Sequence, residues 1–481
     1  MKILISKITA LAALVWGPAH FACASAGVTT PEKDRTLIIV SIDGLPADYI
    51  DNAAVKMPVL HRLIREGARA QTMMSVFPTV TWANHTSMIT GVTPARHGVI
   101  GNSYYDRNTE KEVMLLWDPV FDKDQIVTAP TLYDVAHRAG LKTAGISWPA
   151  SRNAPALDWQ IPCVIDQTLN DQYSTPSLLR ELEAKKVPYQ HKGLWASKQP
   201  PAHDEQKPEL SKRGAEGKTE WDRLHTQVAL HVLEAHSPNL LLLHFDAVDA
   251  YQHQSGRDTE FAYAACAEAD RMLGQIVEAV EKSGRRERTT LFVVSDHGFR
   301  SYQKQININM ALHDAGLVNV SKGKVTGGDV AFVSMGGAAG IYIKSGRDRD
   351  AIMKKLLPAL KEVEGIEAIM LPDDLAKRGQ AVVGKDWRAA DVMLSAKDGY
   401  AFSARVNRSS VIYKISDTKG AHGYLPDSQK LKACFVAWGA GIKAGVTLGE
   451  INNTDVAPTG ASLLGLSLPD TDGRVLDEIM K

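Results

Sequence analysis

The sequence predicts an α/β fold in which a mostly parallel central sheet lies between two layers of helices. Three apolar runs support this prediction, at 36–42, 239–245 and 289–295, because buried parallel strands are short, continuous and rich in aliphatic residues. A helical pattern follows the second run, since apolar residues recur every four positions from Phe261 to Val277. With 481 residues, 44% of them hydrophobic, the chain can bury one large domain and an insertion.

Further helices and strands alternate along the chain, as a sheet covered on both faces requires. The pattern predicts, in chain order, a helix that ends before Gly67, a strand at 68–77, a helix at 82–90 that ends before Gly91, a helix at 131–138, a strand at 142–147, a strand at 434–438 and a last core element at 455–464. The polar stretch at 185–222 is rich in Lys, Gln and Pro and is expected to be a surface excursion.

The segment 300–420 is expected to be an inserted, smaller α/β cap. It is rich in Gly and Lys and has its own alternation, a strand-like run at 341–344 followed by a helical pattern at 351–363. The main α/β core would then comprise 27–299 and 421–481.

The N-terminus has the pattern of a cleaved secretory signal peptide at 1–26. Lys2 and Lys7 precede an apolar run that ends in Ala24-Ser25-Ala26, a small-residue cleavage site. No later segment has the roughly 18 consecutive apolar residues that a membrane span needs. We therefore expect a mature chain without a membrane span, periplasmic in a Gram-negative source and secreted otherwise. Cys23 leaves a lipoprotein as the alternative.

Charge and cysteine content exclude several classes of protein. The chain has 55 Lys and Arg against 55 Asp and Glu, so bulk charge indicates no nucleic-acid groove. The mature chain would keep Cys163, Cys266 and Cys434, which is too few for a disulfide scaffold and leaves a single pairing open.

Residues able to bind a metal or act as a nucleophile follow the predicted strands or begin helices. Because an α/β sheet gathers functional residues at the carboxyl ends of its strands, we expect them to converge. Aspartates together with three histidines suit two zinc-like ions better than one. These candidate residues are Asp43, Thr81, Asp249, His253, Asp296, His297 and His422. They predict a metal-dependent hydrolase.

The candidate nucleophile has structural alternatives. Thr81 precedes the predicted helix at 82–90 and could be an ordinary helix N-cap. As a nucleophile it would gain from the helix N-terminus, which stabilises developing negative charge. Thr79 is the nearby competitor for this role, and His85 is expected to pack or to form hydrogen bonds within the structure.

The paired ligands also have alternatives. Asp249 and His253 are four residues apart in what is expected to be a local turn, and Asp246 is a competing ligand. His244 lies within the apolar strand and is expected to be a core residue. The pair Asp296 and His297 could be a buried hydrogen-bonded pair without a metal.

Longer motifs surround these residues. They are Phe77-Pro78-Thr79-Val80-Thr81, then Gly91, Pro94 and His97-Gly98, then Gly101-Asn102, the Asp249 and His253 pair, Ser295-Asp296-His297-Gly298, His422-Gly423-Tyr424, and Asn453–Pro458 near the end. In this combination and order they resemble the nucleotide pyrophosphatase/phosphodiesterase family of the alkaline phosphatase superfamily, over about 36 to 474.

The resemblance implies an alkaline-phosphatase-like three-layer α/β/α sandwich and a hydrolase of phosphodiester or nucleotide pyrophosphate bonds that uses two Zn²⁺ ions. One zinc would be held by Asp43, Thr81, Asp296 and His297, and the second by Asp249, His253 and His422. Thr81 would attack phosphorus and form a covalent phosphothreonine.

The resemblance also implies residues that contact a small phosphodiester or nucleotide substrate. Asn102 and the backbone N–H of Trp82 would stabilise a non-bridging phosphate oxygen. The Trp82 ring could stack on a nucleobase, or hold a lipid or aryl group, or only cap the helix start.

Two other functions stay open. A phosphate monoesterase or a phosphonate hydrolase could use the same metal core. The stretch 145–151 resembles that of the diesterase branch and lacks an immediate Lys that could bind the extra charge of a phosphate monoester, which favours a diester. Arg152 and Lys142 could supply such a cation. A catalytically silent binding protein with the same fold is the third alternative, and the intact ligand set argues against it.

Overall fold

The computed structural model describes residues 32–116, 121–191, 208–406 and 410–481, with the side chains of 208–214 left out. The expected signal peptide at 1–26 lies outside the described residues. No helix in these ranges combines the length and the apolar character that crossing a bilayer requires.

The strands of the described residues, in chain order, have these bounds. They are β1 (Thr36–Ile42), β2 (Ala68–Met74), β3 (Ser103–Asp106), β4 (Lys111–Met114), β5 (Thr143–Ile146), β6 (Trp159–Ile161), β7 (Leu240–Phe245), β8 (Thr289–Val294), β9 (Arg300–Asn307), β10 (Val318–Ser321), β11 (Lys324–Gly328), β12 (Val330–Met335), β13 (Ala338–Ile343), β14 (Ile366–Met370), β15 (Val392–Ala396), β16 (Gly399–Ser403), β17 (Ile412–Ala421), β18 (Phe435–Gly439) and β19 (Val446–Asn452).

The α-helices of the described residues are named in the same way. They are α1 (Pro58–Glu66), α2 (Thr81–Thr90), α3 (Pro94–His97), α4 (Lys123–Ile126), α5 (Leu132–Arg138), α6 (Gln167–Tyr173), α7 (Pro176–Lys185), α8 (Pro208–His236), α9 (Ala247–Ser255), α10 (Glu260–Lys282), α11 (Ile308–Asp314), α12 (Arg349–Lys361), α13 (Pro372–Lys377) and α14 (Val456–Leu463).

A central sheet of eight strands organises the fold, in the order β19-β2-β18-β8-β1-β7-β5-β6. Within it β1 pairs in parallel with β7 and β8, and β18 pairs antiparallel with β8 and β2. Seven strands therefore run in one direction and β18 opposes them. The predicted mostly parallel sheet is confirmed.

Helices cover both faces of this sheet because successive side chains of each strand point to opposite sides. Ile38, Val40 and Ile42 of β1 enter a core cluster with α1, α7, α8 and α10. Leu37 and Ile39 enter a second cluster with α2, α5 and α14. The result is the predicted three-layer α/β/α sandwich.

The strands β9 to β17 lie outside the central sheet. They form a four-stranded sheet in the order β12-β13-β15-β14, a three-stranded sheet in the order β16-β9-β17 and the β10–β11 hairpin. A separate hydrophobic cluster, including Ile306, Leu356 and Leu394, packs among them. Another cluster joins β12 to β15 to the start of α2, where Val333 and Tyr342 share a core with Trp82. This segment therefore contributes to the same hydrophobic cluster as the residue that follows the candidate nucleophile.

Two local predictions were wrong. Residues 192–207 of the expected excursion at 185–222 lie outside the described residues, but its last part belongs to α8, in which Trp221 and Asp222 are buried. The polar composition hid this because Asp222 is a polar residue that is buried. Its two carboxylate oxygens accept the backbone N–H groups of Asp246 and Ala247 at the start of α9. The expected turn around Asp249 is α9, a nine-residue helix.

Candidate active site

Three adjacent strands deliver the candidate ligands to one edge of the central sheet. Asp43 follows β1, Asp296 follows β8, and α9 with Asp249 follows β7. Because β1 lies between β7 and β8 and all three are parallel, their carboxyl ends meet. His422 reaches the same edge because β18, which follows it, runs in the opposite direction.

The first group of side chains lies around His297. Its Nε2 atom is 3.0 Å from Asp296 Oδ2 and 3.5 Å from Asp43 Oδ1. Asp296 Oδ1 accepts backbone N–H groups of Gly44 and His297, both at 3.0 Å, which fixes the carboxylate and leaves Oδ2 for another partner. All three side chains are almost fully buried.

The second group lies around Asp249. Its Oδ1 atom is 3.4 Å from Nε2 of His253 and 3.5 Å from Nε2 of His422. The His422 ring stacks on His297 with centroids 3.8 Å apart, so the two groups are continuous. Asp249 also has a carboxylate oxygen within 4.8 Å of ligand atoms of Asp43 and His297. We call the six residues Asp43, Asp249, His253, Asp296, His297 and His422 the central cluster.

The three histidines of the central cluster are oriented in the same way. Nδ1 of His253 contacts the Gly420 carbonyl at 3.0 Å, Nδ1 of His297 contacts the Gly298 carbonyl at 3.2 Å, and Nδ1 of His422 contacts the Thr79 carbonyl at 2.7 Å. A carbonyl can only accept, so each Nδ1 carries a proton, and in the neutral ring each Nε2 presents a lone pair to the cluster. This is the arrangement that metal-ligating histidines adopt.

Close backbone packing places His422. A side chain at Gly420 would put its Cβ 2.2 Å from the Gln252 carbonyl oxygen of α9, so only glycine fits there. Gly423 has φ +98° and its backbone N–H donates to Thr79 Oγ1 at 2.8 Å. The glycines around His422 therefore allow the close approach that the sequence indicated.

The carboxylates of the central cluster repel one another in a buried setting. Burial, with the neighbouring charge of Asp296, raises the pKa of Asp43 well above its usual value, and burial likewise raises the pKa of Asp249. Burial also acts on Asp296, but in the absence of a metal the attraction of protonated His297 outweighs it and lowers the pKa of that carboxyl. Burial, followed by the proximity of His297, lowers the pKa of His422. A cation at the centre would relieve the carboxylate repulsion and leave His422 neutral.

Four buried atoms of the central cluster have no hydrogen-bond partner. They are Asp43 Oδ1, Asp249 Oδ1, Asp296 Oδ2 and His297 Nε2. An unpaired buried carboxylate oxygen is costly, so native proteins rarely keep one without a compensating partner. Oxygen and imidazole donors converging at these distances fit divalent ions such as zinc. The site therefore fits the metal that the sequence predicts.

Thr81 is the first residue of α2 and is 6% exposed. Its expected alternative as a helix N-cap is wrong, because Val80 is the N-cap residue and no side chain caps the helix. His85 connects Thr81 to the central cluster, since its Nδ1 atom is 2.9 Å from the Thr81 carbonyl oxygen and 3.7 Å from Asp296 Oδ2. Burial lowers the pKa of His85 to about 3, which keeps that ring neutral.

The hydroxyl and carbonyl groups of Thr79, the competing nucleophile, form hydrogen bonds within the structure. Its hydroxyl donates to the Tyr424 carbonyl at 3.0 Å and accepts from Gly423 N–H, and its own carbonyl orients His422. These contacts make Thr79 a support for the ligand loop.

Asn102 and Trp82 are joined by a hydrogen bond. The backbone N–H of Trp82 donates to Asn102 Oδ1 at 2.9 Å. The Trp82 N–H is therefore engaged, and the amide group of Asn102 is held with Nδ2 as the remaining donor. The Trp82 ring is 2% exposed within a hydrophobic cluster, which is the expected helix-cap position.

The sequence assigned His244 to the core and missed its contact with a ligand. His244 is buried, its Nε2 atom is 3.0 Å from Asp43 Oδ2 and its Nδ1 atom is 3.1 Å from the Ser147 carbonyl. Its place at the end of an apolar strand beside the Asp43 strand was the available signal. Asp246, the competing ligand, forms an ion pair with Lys218.

A family model connects this site to known proteins. The model described as type I phosphodiesterase/nucleotide pyrophosphatase matches residues 37–425, which include the central cluster and Thr81. The chain belongs to this family. It is therefore a hydrolase of phosphodiester or pyrophosphate bonds in the alkaline phosphatase superfamily, and the family is metal-dependent.

Curated relatives of this phosphodiesterase chain cover most of its length. It is 22% identical to ectonucleotide pyrophosphatase/phosphodiesterase family member 7 of Rattus norvegicus, over 94% of this chain and 88% of the relative. It is 23% identical to bis(5'-adenosyl)-triphosphatase of Bos taurus, over 93% of this chain and 82% of that protein. It matches venom phosphodiesterase 2 of Crotalus adamanteus at 23% identity over 94% of this chain but spans only 48% of that relative.

Solved structures share the fold. Murine ectonucleotide pyrophosphatase/phosphodiesterase 5, as an inactive threonine-to-alanine variant in complex with AMP, superposes with a TM-score of 0.68 at 18% identity, covering 93% of this chain and 100% of that one. The human protein of the same name gives a TM-score of 0.66. The alkaline-phosphatase-like fold predicted from the sequence is confirmed.

Proposed function

We propose that this chain is a two-zinc hydrolase of nucleotide-like phosphodiesters or pyrophosphates that works through a covalent intermediate on Thr81. The unpaired buried atoms of the central cluster support it most directly, because divalent cations would satisfy them at the edge where α2 begins.

The central cluster together with Thr81 would provide the ligands for two ions. One would be held by Asp43, Thr81, Asp296 and His297, and the other by Asp249, His253 and His422. Bound zinc would supply positive charge that stabilises both the attacking and the leaving oxygen of a displacement at phosphorus. Asp249 lies close to both ligand groups, so its carboxylate couples their occupancy.

In this proposal Thr81 is the nucleophile. Its Oγ forms the bond to phosphorus while the bond from phosphorus to the leaving oxygen breaks, and a water molecule later displaces Thr81 from phosphorus. The start of α2 assists because the partial positive charge at a helix N-terminus favours an anionic phosphate. Asn102 Nδ2, fixed through the Trp82 N–H, donates to a non-bridging oxygen.

The surroundings favour a singly charged diester over a dianionic monoester. Arg152 forms an ion pair with Asp122 at 2.9 Å and lies over the Tyr173 ring, so its charge is committed there. Lys142 precedes β5, at the amino end of a strand parallel to those whose carboxyl ends form the site. We therefore expect neither Arg152 nor Lys142 to bind the second negative charge of a phosphate monoester.

The relatives support a nucleotide as the substrate. The murine neighbour binds AMP in an inactive threonine-to-alanine variant, and the bovine relative is named for a dinucleoside triphosphate. A nucleobase would lie near the start of α2. Trp82 is almost fully covered, so stacking on its ring would require neighbouring residues of its hydrophobic cluster to move.

The first test is steady-state hydrolysis of bis-p-nitrophenyl phosphate beside p-nitrophenyl phosphate, with zinc present and after chelation. We expect zinc-dependent hydrolysis with a preference for the diester. A preference for the monoester would reject the charge argument and favour a phosphate monoesterase. Equal rates with and without chelation would reject the metal proposal.

We also propose that the chain acts outside the cytoplasm, after removal of residues 1–26. N-terminal sequencing of the protein purified from its native source should begin close to Gly27. A chain that still begins at Met1 would contradict this.

A further inference from the structure

A second histidine and carboxylate group lies between α7 and α8, outside the central cluster. Nε2 of His236 is 2.6 Å from Glu181 Oε2, and Nε2 of His231 is 3.3 Å from the same oxygen. One ligand atom from each residue lies within 4.8 Å of the others. We call Glu181, His231 and His236 the α7–α8 triad.

Packing orients one histidine of the α7–α8 triad in advance. The His236 ring stacks on Trp159 of β6, with centroids 4.2 Å apart and planes 19° apart. The His236 side chain is 18% exposed and that of His231 is 11% exposed, while Glu181 is 35% exposed. The rings are therefore held, yet the carboxylate remains open to ions from solvent.

Two of the three separations between ligand atoms can be compared with those around a tetrahedral ion. Zinc bound to imidazole and carboxylate at 2.0–2.1 Å separates neighbouring ligand atoms by about 3.3 Å. The pair of His231 and Glu181 already has this separation at 3.3 Å, whereas the pair of His236 and Glu181, at 2.6 Å, must open by roughly 0.7 Å. A rotation of the half-exposed Glu181 side chain supplies a movement of this size.

The local charge favours a cation. His236 is the last residue of α8, and a helix C-terminus carries partial negative charge. Burial tends to raise the pKa of Glu181, but hydrogen bonds from His236 and then His231 outweigh it and lower that pKa, so the group is a carboxylate at neutral pH. A metal would replace the histidine protons that now face Glu181.

We propose that the α7–α8 triad is a separate binding site for a divalent transition-metal ion of the zinc class. Its three protein ligands leave one position for water, and the ion would join α7 to the C-terminal end of α8. This site does not depend on the proposed reaction, since none of its residues belongs to the central cluster or to α2.

Zinc stoichiometry tests the proposal directly. Full-length wild type and the double variant His231→Gln/His236→Gln would be dialysed against micromolar zinc, and the bound metal per chain measured. We expect the wild type to hold one more zinc per chain than the double variant, and both to hydrolyse the diester equally fast. His137→Gln is the matched control, because His137 lies 3.5 Å from Asp158 at the surface, and among the described residues the two belong to no group of three ligands.

Three results would overturn the proposal. The first is equal zinc content in the wild type and a folded, active double variant. The second is loss of the same single ion in the His137→Gln control. If the double variant does not fold, Glu181→Gln replaces it, and zinc content equal to that of the wild type in that variant is the third.

Discussion

Two groups of histidines and carboxylates in this protein differ in whether their ligand atoms form hydrogen bonds in the absence of a metal. In the central cluster, carboxylate oxygens of Asp43, Asp249 and Asp296 are buried and form no hydrogen bond, although histidine nitrogens lie near them. In the α7–α8 triad, both histidine Nε2 atoms have a partner in Glu181. An ion removes the free-energy cost of leaving buried polar atoms without hydrogen bonds, whereas an ion that binds near the surface must first replace existing hydrogen bonds. We therefore expect tight metal binding in the first group and weaker binding in the second.

The support behind the ligands differs in the same direction. Backbone carbonyls hold Nδ1 of all three central histidines. In the triad, Trp159 holds His236 by stacking, and the carboxylate must rotate before an ion fits. Preorganised ligands bind with little loss of entropy, so the central cluster is built for affinity and the triad for exchange with solvent.

The largest expected effect separates the nucleophile from both metal groups. Thr81→Ala should lower the turnover of bis-p-nitrophenyl phosphate by at least about a thousandfold, because the covalent route is lost. This variant should still bind zinc at the central cluster and at the triad. Its zinc content should therefore differ from that of the wild type by at most one ion per chain. Thr79→Ser is the control and should retain activity. Substantial turnover by Thr81→Ala would reject Thr81 as the nucleophile.

A ligand substitution in each group compares them directly. Asp249→Asn should reduce zinc affinity and diester hydrolysis by more than about 100-fold, since direct ligands matter more than their supports. Glu181→Gln should remove one weakly bound zinc and leave the hydrolysis rate unchanged. Zinc titrations with parallel rate measurements check both variants. An activity loss in Glu181→Gln as large as that in Asp249→Asn would show that the two groups are not independent.

Asn102→Ala tests the amide that faces the proposed phosphate site. We expect a loss of about 10² to 10³ in kcat, because one preorganised donor to the charged oxygen disappears. Metal content should not change. Asn108→Ala, in the exposed turn before β4, is the control and should match the wild type. A decrease below threefold for Asn102→Ala would exclude the donor role.

His244 tests whether support of a ligand matters in the central cluster. His244→Phe keeps the ring volume but removes the contact with Asp43, and metal affinity should fall by about 10- to 100-fold. His244→Gln restores a donor and should recover part of the affinity. Equal zinc affinity in His244→Phe and the wild type would reduce His244 to a packing residue.

The smallest expected effect concerns the stability of the triad without metal. His236→Gln should change the free energy of unfolding of the chelated protein by less than about 1 kcal/mol, because partly exposed ion pairs contribute little. Denaturant unfolding with and without zinc measures this. A much larger loss in chelator would show that the triad is mainly a structural hydrogen-bond group.

The sequence by itself determined the parts of the site that depend on local pattern. Apolar runs marked the three strands that precede Asp43, Asp249 and Asp296, and the ends of these strands indicated where the ligands lie. A short hydrophobic run can be read locally because burial and strand geometry act on consecutive residues. The motif order then identified the family, which the match over 37–425 confirms.

Only the tertiary structure decided how these residues meet. The antiparallel direction of β18 brings His422 to the ligand edge, and His244 supports Asp43 across a separation of 201 residues. The burial of Trp82 and the commitment of Arg152 to Asp122 also depend on distant segments. Partners this far apart leave no periodic signal in one sequence, because pairing is set by the packing of whole strands and helices.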